Sequence, residues 1–158
     1  MCAKNSVDTD RYGQVNIKAE SLTPMQHYSP AKKIQRSADC YLQRFIKFPF
    51  IGIFHSYAEF LHAALLEADS NVTSFVPQPL NLIVQNRRYI PDCYYLHKSS
   101  RYVAEIKPEG EFEDKLRLPL EAFLKPHGIK FEVISNESIL EKERLALNWL
   151  HIIRTLLS

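Results

Sequence analysis

The spacing of hydrophobic and polar positions changes several times along the chain, and each change predicts an element. Over residues 59–67, Phe60, Ala63, Ala64 and Leu65 or Leu66 recur at helical spacing. Ser56 stands where an N-cap belongs and Glu59 follows three residues on, the capping-box pattern, while the turn formers Asp69-Ser70-Asn71 end the helix. Residues 72–84 carry Val, Phe, Leu and Ile and predict a strand. Pro77 and Pro79 cannot donate to a ladder, so that strand is expected to bend or to lie at an edge. Two further strands, residues 88–97 and 102–107, are joined through Lys98-Ser99-Ser100-Arg101, which reads as a hairpin. Downstream, residues 112–124 predict an amphipathic helix closed by Pro126 and Gly128, residues 130–134 a strand, and residues 138–157 a long helix. That last helix is apolar on more than one side, the pattern of a buried helix or one that meets another protein.

The hairpin brings chemistry together. With Ser99-Ser100 as its two-residue loop, Tyr94 faces Glu105 and Asp92 faces Lys107. Side chains alternate across a strand, so Asp92, Glu105 and Lys107 fall on one face and Ile106 on the other. A slip of one residue would send Asp92 to the opposite face. Two carboxylates in reach of each other raise one another's pKa unless a cation lies between them, and hard oxygen ligands favour Mg²⁺ over zinc. The Ile106 carbonyl is placed to add an oxygen. Lys107 is suited to orient an attacking water or to stabilise transition-state charge. Glu59 has two readings: it reaches back to its own helix N-terminus, or it is a third carboxylate presented to the site.

In order along the chain stand a helix Glu, Gln-Pro, Pro-Asp and Glu-x-Lys. In this order the segments SYAEFLHAALLEADSNVTSFVPQPL and RRYIPDCYYLHKSSRYVAEIKPEG resemble the catalytic domain of TnsA, the endonuclease subunit of heteromeric cut-and-paste transposases. TnsA is a PD-(D/E)xK nuclease. The resemblance covers residues 48–107 well and the rest more loosely. It implies a restriction-endonuclease-like α/β fold, a mixed central sheet flanked by helices. It implies catalytic roles for Glu59, Asp92, Glu105 and Lys107, and a Mg²⁺ site at Glu59, Asp92, Glu105 and the Ile106 carbonyl, with Mn²⁺ able to substitute. Gln78 takes the Gln-Pro position beside the site. Glu67 matches a recurrent acid of the family, but near a helix C-terminus, where the dipole does not favour an anion, it reads as structural. The implied substrate is duplex DNA at transposon ends, cut on the 5′ side, and the implied partners are a DDE-type transposase and an AAA+ ATPase regulator. Alternatives are a restriction, repair or junction-resolving nuclease with the same site, and an inactive DNA-binding or assembly module of the same fold.

Composition narrows this further. The chain has 158 residues, 46% of them hydrophobic, enough for one sizeable core. Residues 1–38, with Pro24, Pro30 and weak periodicity, read as an extended basic arm. Residues 39–158 read as the nuclease domain, with the core beginning near Tyr41 and no room for the separate C-terminal winged-helix domain of the best-known TnsA proteins. No apolar run resembles a signal peptide or a membrane span, so the expected place of action is the bacterial cytoplasm, at the nucleoid when bound to DNA. Cys2, Cys40 and Cys93 show no zinc-site spacing, and Cys93 is expected in the core, pointing away from Asp92. A histidine near the site (His55, His62 or His97) reads as structural before it reads as a metal ligand. The net charge of +2 is too mild to argue DNA binding by itself, so distribution carries that point. Lys32, Lys33, Arg36, Arg44 and Lys47 form a basic block ahead of the catalytic helix, and Arg87-Arg88 sit at a turn before the Asp92 strand; these are the candidate phosphate contacts.

Overall fold

In a computed structural model of the chain, the described residues are 15–27 and 40–158. The hairpin that carries the candidate carboxylates is the middle of a four-stranded sheet. Its strands, in spatial order, are β4 (Val72–Pro77), β7 (Cys93–His97), β8 (Ser100–Lys107) and β9 (Ile129–Ser135). The first three run antiparallel and β9 joins β8 in parallel, so the sheet is mixed. A parallel neighbour needs a crossover. It is made by α2 (Asp114–Leu124) and a short 3₁₀ turn (Lys125–His127), ended by Gly128 at φ 72°, where a side chain would be strained.

Alternate side chains of β8 enter two different cores. Ala104 and Ile106 join Phe54, Phe60, Leu61, Phe75 and Leu150 beneath α1 (Tyr57–Ala68), α3 (Asn136–Leu140), α4 (Glu143–Leu157) and the hairpin of β2 (Tyr41–Arg44) with β3 (Ile51–Phe54). Val103 points the other way, among Ile17, Leu80, Leu82, Leu120, Phe123 and Phe131. That second core is covered by α2 and by a small antiparallel sheet of β1 (Ile17–Ala19), β5 (Leu82–Val84) and β6 (Arg87–Tyr89). The protein is therefore a mixed α/β fold with four α-helices among the described residues. None of these is long and apolar enough to cross a membrane.

Several expectations are corrected by tertiary packing. The β7–β8 loop is Lys98-Ser99, with Lys98 at φ 55°, and Tyr94 faces Val103 instead of Glu105. This register opposes Tyr95 to Tyr102, whose rings stack at 5.0 Å, a cross-strand pair the other register would lose. The displacement is two residues, so every side chain keeps its face. The single strand expected over residues 88–97 is interrupted at Ile90–Asp92 because Pro91 has no N–H to donate. Residues 72–84 likewise divide into edge strand β4 and β5 of the small sheet. The C-terminal helix breaks into α3 and α4 around Glu141-Lys142. On α4 the stripe Ala146, Leu150 and Ile153 is buried, and Leu145, Ile152 and Leu156 are exposed. The core begins earlier than Tyr41. Val15, Ile17 and Ala19 are buried and β1 pairs with β5, so this part of the expected arm belongs to the fold.

Candidate active site

Where β7 begins and β8 ends, side chains from three parts of the chain meet. Asp92 lies one residue before β7, just past the last pair of the ladder, Cys93 with Ala104. Its Oδ2 accepts from the Ile106 N–H at 2.7 Å, so the carboxylate does for β8 what the next backbone carbonyl of a longer β7 would have done. Since one strand residue directs its N–H and C=O to the same edge, the Ile106 carbonyl belongs to the Asp92 side of β8. Glu105, 3% exposed, is held from two directions. The Tyr89 hydroxyl donates to Oε2 at 2.6 Å, and Lys107 Nζ lies 3.5 Å from Oε1. Lys107 itself is half-exposed.

Glu59 reaches back to its own helix N-terminus and also lies close enough to Asp92 and Glu105 to interact with their charges. Its N–H donates to Ser56 Oγ at 3.1 Å, the capping bond at the start of α1. Its carboxylate accepts from the Ser56 hydroxyl at 3.3 Å and from the His55 N–H at 3.2 Å. It also accepts from Gln78 Nε2 at 3.5 Å, which ties the helix to the end of β4.

Three carboxylates thus lie close together beside a single lysine. Asp92 is pushed up to about 8, first by burial and then by repulsion from Glu59. Burial and the charge of Asp92 raise Glu105 to about 7, against the opposing pull of Tyr89 and Lys107. Glu59 is raised by burial and by Glu105, while its capping bonds hold it down. The Tyr89 hydroxyl is raised as well, by burial and then by the Glu105 charge it donates to, so it stays a donor. Among the described residues no three acidic, histidine or cysteine side chains form a preformed cation cage. Tyr89, Lys107 and the helix cap occupy oxygens of Glu105 and Glu59. As a donor set, mutually repelling carboxylates beside a carbonyl edge suit a hard divalent cation, and Asp92, Glu105, Glu59 and the Ile106 carbonyl are the groups that could hold one.

The remaining candidates are distributed as follows. Arg44, Arg87 and Arg88 are exposed, and Arg88 Nε donates to Asn81 Oδ1 at 3.0 Å. Because Tyr89 is the last residue of β6, the strand bearing both arginines is anchored to Glu105. Lys47 is used differently from expectation. Its ammonium donates to the carbonyls of Leu66 and Asp69 at 2.9 and 2.6 Å, closing the C-terminus of α1 instead of facing a phosphate. Lys32, Lys33 and Arg36 lie outside the described residues. Glu67 is structural, accepting from the backbone N–H groups of Ile46 and Lys47 at 2.8 and 3.1 Å. His62 is buried against Tyr95, away from the carboxylates, and Cys93 is buried in the α1-side core.

Tyr89 was missed by the sequence reading. The one local signal was Gln85-Asn86, whose left-handed backbones (φ 50° and 61°) make the tight turn that folds β6 back on β5. Compared with protein-family models and with curated proteins, the chain matches no family model and no curated protein.

Proposed function

We propose that the chain is a Mg²⁺-dependent DNA endonuclease of restriction-endonuclease-like architecture, acting as the nuclease subunit of a heteromeric transposase. The observation that carries this reading is the cluster in which Asp92, Glu105 and Glu59 repel one another beside one half-exposed lysine. Carboxylates raised by burial and mutual repulsion gain from a cation beyond what Tyr89, Lys107 and the helix cap supply. The architecture agrees: a mixed sheet whose central hairpin bears the acids, with α1 presenting a further acid from its first turn.

When bound, the metal ion supplies Lewis-acid polarisation of a phosphoryl oxygen and a water of lowered pKa. Asp92 and Glu105, with the Ile106 carbonyl, would hold it, and Glu59 would complete that site or a second one. Tyr89 keeps the Glu105 carboxylate from swinging away. Lys107 offers its N–H groups to the attacking water and to charge developing on the phosphate. Exposed Arg44, Arg87 and Arg88 would take backbone phosphates, contacts that position duplex DNA without reading its sequence. The resemblance to TnsA supports the finer assignment: hydrolysis on the 5′ side of transposon ends, in complex with a DDE-type transposase and an AAA+ regulator at the nucleoid.

The test is Mg²⁺- or Mn²⁺-dependent cleavage of labelled duplex DNA, with and without the co-encoded transposase. Asp92→Ala and Lys107→Ala are each expected to lower cleavage by about a thousandfold, the scale of a lost transition-state contact or metal ligand. Cutting at element boundaries that depends on the transposase supports the transposase-subunit assignment. Partner-independent cutting elsewhere favours a restriction, repair or junction nuclease, and no cutting in any combination favours an assembly module.

A further inference from the structure

We infer that the side-chain carbonyl of Gln78 is an oxygen ligand of the divalent cation held by the carboxylates, and that its strained backbone is kept in order to aim it there. This inference rests on the metal-dependent reading above, and it is carried by Gln78's own geometry.

Gln78 sits between Pro77 and Pro79 at the end of β4, with φ at 42°. The ring of a following proline drives the preceding residue toward extended conformations, so a left-handed backbone at this position is doubly unfavourable. The surrounding bonds hold it there. Its N–H donates to the Asp92 carbonyl at 3.0 Å, its carbonyl accepts from His27 N–H at 2.8 Å, and the Pro79 carbonyl accepts from Met25 N–H at 3.0 Å. The first of these bonds couples the strained residue directly to the residue at the centre of the site.

Gln78 is 4% exposed. Its Nε2 donates toward Glu59 Oε2, and since only the nitrogen end of an amide can donate to a carboxylate, Oε1 is the atom left over. That oxygen is buried and has no hydrogen-bond partner. A buried acceptor without a donor and a left-handed pre-proline backbone are each a cost, and here both fall on one residue. The backbone bonds hold the conformation, but no protein group satisfies the oxygen; a cation would.

The choice of residue fits the charge of the site. Amide oxygens are hard ligands that serve oxygen-loving divalent cations. An amide adds a coordinating oxygen without adding a fourth negative charge to Glu59, Asp92 and Glu105, whose repulsion is already unfavourable. The same amide, through Nε2, restrains Glu59, so one side chain orders two oxygens of the site.

The experiment uses the full chain and Mn²⁺ as the probe. Isothermal titration calorimetry and electron paramagnetic resonance would follow Mn²⁺ binding in the wild type, Gln78→Gly, Gln78→Asn and Asp92→Ala. Thermal melts would be taken with and without metal. Glycine accepts positive φ and removes the orphaned oxygen, so metal-free Gln78→Gly is expected to melt no lower than the wild type while binding Mn²⁺ about tenfold more weakly or worse. Asparagine also tolerates the left-handed region but is one carbon shorter, so Gln78→Asn is expected to lose affinity likewise, and it decides the matter should the glycine variant not fold. Wild-type affinity in both Gln78 variants, with Asp92→Ala unable to bind, would overturn the role of Gln78 and leave the metal-dependent reading standing. A wild type that binds no Mn²⁺ would overturn that reading and the ligand role with it.

Discussion

The two ends of α1 each set a glutamate against the rest of the fold, and they treat it in opposite ways. At the C-terminal end Glu67, 6% exposed, receives two backbone N–H groups, while Lys47 closes the neighbouring carbonyls. Anion and cation are both met by fixed partners, and the result anchors the β2–β3 connection. At the N-terminal end Glu59 faces Asp92 and Glu105 with one half-exposed lysine among them, next to a glutamine whose side-chain oxygen is unpaired. Both glutamates are on one helix, so helix propensity does not separate them. What separates the two acids is whether the surrounding fold completes their hydrogen bonds and balances their charge.

That contrast can be tested from each side. Removing the satisfied acid should be the most damaging: Glu67→Ala leaves two part-buried N–H groups unpaired and should cost about 3 kcal/mol of stability by urea denaturation. Loss of less than about 1 kcal/mol would show that the C-terminal end is not the anchor described. Midway along the helix, His62 is held neutral, lowered to about 4 by burial and then by the nearby Lys142 charge. Above pH 6.5 it is neutral folded or unfolded; as pH falls toward 4, the unfolded chain takes up a proton that the folded chain refuses. Stability is therefore lost on acidification, by about 2 kcal/mol at pH 5. Asp92 and Glu105, raised in the fold, act with the opposite sign, favouring the fold at low pH and losing that contribution as pH rises through about 8 and 7. The His62 effect is thus read as the difference between the wild type and His62→Phe, measured at pH 7 and pH 5. The smallest effect belongs to the unsatisfied end. Asp92→Asn keeps an acceptor for the Ile106 N–H while removing one repelling charge, so the metal-free protein at pH 8 should gain about 1 kcal/mol. A comparable loss would mean that Asp92 is, like Glu67, a structural acid.

Much of the fold was legible locally. The capping box at Ser56 and Glu59, the helical spacing through Leu66, the hairpin between Cys93 and Lys107 and the strand over residues 130–134 all follow from patterns a few residues long. So did the shared face of Asp92, Glu105 and Lys107, because a two-residue error in register preserves alternation. What was not legible depended on distant partners. Lys47 looked like a surface cation until the end of α1 was set beside it, and residues 15–19 looked like an arm until β5 offered them an edge. Tyr89 became part of the site only because β6 folds back against β8.

The sequence by itself determined α1, α2, the strands that became β4, β7, β8 and β9, and which of their side chains share a face, because these depend on periods of two and 3.6 residues. Tertiary structure alone decided the register, set by the stacking of Tyr95 on Tyr102, and the protonation of the acids, set by burial and mutual distance. It also decided the left-handed Gln78 with its unpaired oxygen. Local preference at a residue before proline opposes that conformation, and only bonds from Asp92 and His27, fourteen and fifty-one positions away, hold it in place.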